Sequence, residues 1–129
     1  MPDASQRPDH LIVIADHIPG SHTTDSEDIF WWLPIIGPGA SFLAYVLARH
    51  ARHADTTWQI DDLARTVGLG GSHSNLWQRL DRLERFELLT FVSTDVATIR
   101  IELPALRDRQ LACLPMSLAA AYRDLTNAA

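Results

Sequence analysis

The stretch IDDLARTVGLGGSHSNLWQRLDRLERFELL, Ile60 to Leu89, decides how this chain is read. Asp61 caps a short helix whose Leu63, Ala64 and Val67 face inward, and Gly68 is the residue type that stops a helix in the left-handed conformation. Leu69-Gly70-Gly71 makes a turn, and Ser72 or Ser74 caps a second helix running to about Phe86. Advancing about 100° per residue from Leu76 puts Leu80 at about 40° and Leu83 at about 340°, so the three share one buried stripe. Ser74, Gln78, Arg82 and Arg85 fall between about 160° and 240° on the opposite side, with Asn75 at about 260°. Arg79, at about 300°, lies beside the apolar stripe, where it could pair with an acid of the preceding helix. Amide side chains and guanidinium groups read base edges and hold phosphates. A polar face of this kind is also what any solvated amphipathic helix shows.

Outward from this stretch, Leu88–Val92 and Thr98–Glu102 read as two strands of a hairpin with a short tip, and Pro104 closes the unit. Helix, glycine stop, turn, second helix and hairpin are the parts of a winged helix-turn-helix in order. The expected fold is therefore mainly α (α+β), a winged helix with additional N- and C-terminal helices. The runs Ile60–Leu69 and Leu80–Leu88 resemble the first motif helix and the end of the recognition helix in bacterial winged helix-turn-helix DNA-binding proteins. The Trp-Leu-Pro and Gly-Pro steps between Trp32 and Pro38 are also similar to small, functionally unassigned members from GC-rich bacteria. The resemblance covers residues 57–103 and implies that Ser74, Gln78, Arg79 and Arg82 face DNA. Three features depart from it. The turn after Gly68 is about two residues longer than a compact motif has. Glu87 stands where such families have glycine, at a position favouring positive φ. The wing tip offers Asp95 and no basic residue, although Arg100 could project from the returning strand.

The flanks are read from the same signals. Residues 1–23 form an acidic N-terminal segment, partly disordered and polar over 1–9. His10–Ile18 holds an apolar run that fits a strand or a buried extended segment. The single domain spans 24–129, with its core motif at 57–103 and C-terminal helices at 104–126. Thr24 and Glu27 fit a capping box before a short helix carrying Ile29 to Leu33 and ended by Pro34. Pro38 suits the first position of a helix reaching about His53, with Phe42, Leu43, Val46 and Leu47 on its buried face. In the tail, Leu118, Ala121 and Leu125, flanked by Tyr122, make a stripe that its own chain or a second copy must cover. A homodimer through these residues is expected.

Charge and composition bound the function. With 47% apolar and 21% charged residues the 129-residue chain is ordinary globular material for one domain. Residues 1–28 hold six acids against Arg7, so the net charge of −5 resides there and the remainder is neutral. All eleven basic residues are arginine. A neutral domain weakens a nucleic-acid reading unless its arginines converge on one face. No apolar run is long enough for a membrane span and no secretory signal is recognisable, so a cytoplasmic protein is expected. Cys113, the lone cysteine, excludes an intramolecular disulfide. His50 and His53 are three apart on a helix but lack further ligands at fixed spacing, so neither metal nor cofactor is expected. No nucleophile elbow or phosphate loop appears, and the chain is not read as an enzyme. Phe30, Trp31 and Trp32 form an aromatic cluster suited to core packing or, less simply, to a ligand pocket. The expected function is sequence-specific binding of double-stranded DNA by a small transcriptional regulator. Ser74, Asn75, Gln78, Arg79, Arg82, Arg85 and Arg100 would form the contact. The alternative is a winged-helix protein–protein adaptor that does not bind DNA.

Overall fold

The apolar run at the N-terminus forms a strand, β1 (His10–Asp16), in which Leu11 and Val13 are completely buried. The computed structural model describes residues 7–127. Three further strands, β3 (Thr56–Gln59), β4 (Leu89–Phe91) and β5 (Val96–Arg100), join β1 in a sheet of order β3-β1-β5-β4. β1 runs antiparallel to β3, with Leu11 opposite Trp58, and parallel to β5, with Val13 opposite Ala97. Both its backbone edges are thus paired.

That placement corrects the domain boundary expected at residue 24, because the acidic segment supplies an inner strand of the sheet. The reason is that a strand paired on both edges needs only a few inward apolar residues, and seven residues are too few to reveal such pairing by periodicity. Of the disorder expected over residues 1–9, positions 1–6 lie outside the described residues. Residues 7–9 belong to the fold. The Arg7 guanidinium lies 5.7 Å from the centroid of the Trp77 ring, and the Asp9 carbonyl accepts a 2.9 Å hydrogen bond from the Ile60 amide.

A two-stranded ribbon follows, β2 (His22–Thr23) against β6 (Glu102–Leu103). Ser26, not Thr24, caps the next element: its hydroxyl accepts from the Asp28 amide at 3.2 Å and starts a 3-10 helix over Glu27–Trp32. Thr24 is fully buried and donates its hydroxyl to the Arg100 carbonyl at 2.7 Å instead. Pro34 does not end this helical region. It occupies the first turn of α1 (Leu33–Ile36), where its missing N–H has no intrahelical partner to lose. The loop is tied down at Asp25. Burial pushes its carboxyl up, but hydrogen bonds from Arg52 outweigh that and leave it below the ordinary carboxylate range.

α2 (Pro38–His53) begins at the expected proline and buries Leu43, Val46 and Leu47. Phe42, expected on that face, is 50% exposed. It stands one position outside a stripe that Ala40, Leu43, Ala44 and Leu47 already fill. α2 packs on β1 and β5, so the sheet and this helix enclose the centre of the core. α3 (Ile60–Thr66) and α4 (His73–Arg85) lie at the end of that layer. Gly68 stops α3 with φ 82°, as its residue type implied. Asp61 is not the cap of α3: Gln59 holds that position, and the Asp61 carboxylate instead accepts from Arg65 at 2.9 Å and meets His73 at 3.2 Å. The His73 contact fastens the starts of α3 and α4 together, and the Arg65 bond holds the Asp61 carboxylate in place within α3. α4 buries Leu76, Leu80 and Leu83 as the periodicity requires, together with Trp77, which stacks on Phe91.

Glu87, just past the end of α4, adopts φ 64°, the left-handed region where a side chain is strained. Glu87→Gly is therefore expected to stabilise the protein by about 0.5–1 kcal/mol, since glycine relieves the strain and the exposed Arg107 pair it removes contributes little. A urea midpoint that falls for this variant would contradict the strain argument.

The tail forms α5 (Asp108–Leu111) and α6 (Met116–Asn127). Tyr122, expected at a subunit interface, is 3% exposed within its own chain. Its hydroxyl accepts from the Leu106 amide at 2.9 Å, stands 2.9 Å from His22 Nε2, and its ring meets Trp31 edge-on. Aromatic edges and two hydrogen-bond partners within one protomer satisfy this side chain, so it is removed from the interface set. Leu118 is half-buried against the core, while Ala121 and Leu125 remain exposed. Among the described residues no helix is long and apolar enough to cross a membrane.

Candidate nucleic-acid interface

The polar side of α4 does not simply face solvent. Together with the start of α2 it forms an open cleft of about 500 Å³. Gln78, Arg79, Arg82 and Arg85 line one wall, and the backbone of Gly37 to Ala40 lines the other. The spacing of α4 places these four side chains on one side of the helix. Gly37-Pro38-Gly39 brings the second wall close. Gly37 takes φ 86° and caps α2 without a side-chain acceptor, so no capping side chain satisfies the amides of the first turn. A Cβ at Gly39 would come within 2.7 Å of Arg79 Nε, so glycine is what allows that guanidinium to lie flat on α2.

Each arginine is oriented by an internal bond. Arg79 donates to the Asn75 carbonyl at 3.3 Å and is half-buried, with no acid of α3 as its partner. Arg82 donates to the Ile35 carbonyl at 3.2 Å. Arg85 donates to the Asp81 carboxylate at 3.1 Å. A guanidinium carries five N–H donors, so one internal bond positions it and leaves most of its donors for a ligand. The positive end of the α2 dipole adds to the same field. Three guanidiniums, a helix start and the Gln78 amide, with Asp81 the one acid in the lining, make a surface suited to phosphate oxygens.

The other expected contact residues divide. Ser74, Asn75 and Gln78 are exposed on α4 and free to reach outward. Arg100 does not join them. It is half-buried, donates to the Pro19 carbonyl at 3.2 Å, and lines a separate cavity under α5. Which cavity this strand residue lines is set by tertiary packing, which sequence position alone could not reveal. The hairpin tip presents Val92 at 67% exposure. Asp95 there is engaged rather than projecting: the Ser93 hydroxyl donates to it at 3.0 Å and His10 Nε2 lies 3.2 Å away. Those contacts hold the Asp95 carboxyl below its ordinary range, and the bonds to Asp9 and Asp95 raise His10. The α2 start was missed as part of the site. Pro38 marked it as a helix start, but nothing in the sequence places it opposite α4.

Comparison with protein-family models, with curated proteins and with solved structures finds no match for the chain.

Proposed function

We propose that the protein is a winged helix-turn-helix that binds double-stranded DNA through α4 and acts as a transcriptional regulator. One observation carries this reading: in a chain whose residues 29–129 are electrically neutral, Arg79, Arg82 and Arg85 converge on one cleft with the start of α2. The order α2, β3, α3, α4, β4, β5 supports it, being helix, strand, two helices and a hairpin. In this reading α4 enters the major groove, where Gln78 and Asn75 meet base edges and Arg82 and Arg85 hold phosphates. β1, set between β3 and β5, stiffens the platform from which α4 projects. Ala121 and Leu125 keep the exposure that a second copy would cover, and two-fold pairing would match a palindromic site.

A second reading, a protein-binding adaptor, is favoured by one specific feature. Phe30, Leu33 and Phe42 are exposed around an apolar groove of about 560 Å³ beside Tyr45. Genome-wide immunoprecipitation of the tagged protein separates the two. DNA binding yields discrete enriched sites sharing a short motif. A flat profile alongside stable co-purifying protein would reject it in favour of the adaptor.

A further inference from the structure

The cavity under α5 is lined by donors in excess of anything the protein offers them. It measures about 380 Å³, within the range of small-ligand sites, and four arginines, Arg85, Arg100, Arg107 and Arg109, reach it against a single carboxylate, Glu87. Trp32 also lines it. That residue is 1% exposed, and its indole Nε1–H, which can only donate, is buried without an acceptor. Arg100 Nε is likewise buried and unpartnered, although the same guanidinium donates elsewhere to Pro19. Buried N–H groups in folded proteins are nearly always paired, and both of these orphans belong to residues that line this cavity.

The remaining contacts leave the cationic groups available. Arg107 is paired with Glu87 only at 3.7 Å and is 74% exposed, while Arg109 has no side-chain ion pair among the described residues. Ile35, Phe86 and Pro104 supply apolar wall between the charged groups. We infer that this cavity is a binding site for a small organic anion carrying a phosphate or two carboxylates on an apolar or aromatic body. The anionic oxygens meet the guanidiniums, and the apolar body lies along Trp32 and Phe86. The small, half-open volume and its apolar wall favour a small molecule over the backbone of a nucleic acid. The site stands on its own geometry and does not depend on the DNA reading. Only one consequence rests on that reading: Arg85 lines both this cavity and the α4 cleft, so an occupant would draw on a group that DNA also uses.

The test uses the intact chain and phenyl phosphate, with inorganic phosphate and phenol as its separated halves. Calorimetric titration is combined with proton–nitrogen correlation spectra, in which the Trp32 indole resonance is assigned with Trp32→Phe. Phenyl phosphate is expected to bind saturably, at least tenfold more tightly than either half, and to shift the Trp32 indole resonance. Arg107→Gln with Arg109→Gln, both on the surface, should weaken that binding at least tenfold while the rest of the spectrum stays folded. Absence of saturable binding, or binding indifferent to both substitutions, overturns the site. A Trp32 resonance that moves with a non-specific DNA duplex but not with phenyl phosphate overturns it too, by assigning the cavity to backbone phosphate.

Discussion

Replacing Arg82 and Arg85 together with alanine is expected to weaken binding to duplex DNA of every sequence, by roughly 60-fold at 0.1 M salt. Each phosphate contact releases counterions and contributes about 0.9 to the slope of log affinity against log salt, so losing two flattens that slope by about 1.8. Both side chains are exposed, and each makes one internal bond, to the Ile35 carbonyl and to Asp81. The fold should therefore survive the double change, with a loss of about 1 kcal/mol or less for the exposed Asp81 pair and about 1–3 kcal/mol for the part-buried bond to Ile35. Gln78→Ala should behave differently. It should leave the salt slope alone and reduce discrimination at one base pair by about 1–3 kcal/mol. Fluorescence anisotropy over a salt series, with a duplex recovered from the enriched sites, reads both effects. A slope unchanged in the double variant would remove α4 from the interface.

Leu11→Ala should be the most damaging single truncation outside the helices, costing about 2–5 kcal/mol. Leu11 is 0% exposed and sits on β1 opposite Trp58, inside the sheet and against α2. No flexible neighbour can collapse into the space, because both flanking strands are held by ladder hydrogen bonds. Against a total stability of about 5–15 kcal/mol the loss is large, and the thermal midpoint should fall by on the order of 10 °C. Ile18→Ala, just past the same strand and 54% exposed, should change stability by less than about 0.5 kcal/mol. Urea denaturation of the two variants compares them directly. Near-equal midpoints would show that β1 contributes little to the stability of the fold.

Local sequence alone determined the helical half of the fold and little of its assembly. Pro38 marked the start of α2 because a residue without an N–H is harmless only in a first turn. Gly68 marked the end of α3 because a left-handed stop favours a residue without Cβ, whereas Glu87 was legible as a strained position only through the resemblance, which implies glycine there. The stripe Leu76, Leu80 and Leu83 was legible because helical periodicity is a property of neighbouring residues.

What depended on distant pairing was not legible. β1 was an ambiguous apolar run until β3 and β5, more than forty residues away in sequence, supplied partners for both its edges. Tyr122 read as the flank of a stripe that a second copy would cover, yet Leu106, His22 and Trp31 claim its hydroxyl and ring inside the protomer. The candidate sites followed the same division. Helical spacing put Gln78, Arg82 and Arg85 on one side of α4, but only tertiary packing set the start of α2 opposite them and carried Arg100 to a different cavity. A helix face is written in steps of three and four residues, whereas a cleft is made by two chain segments that meet only once the core between them has formed.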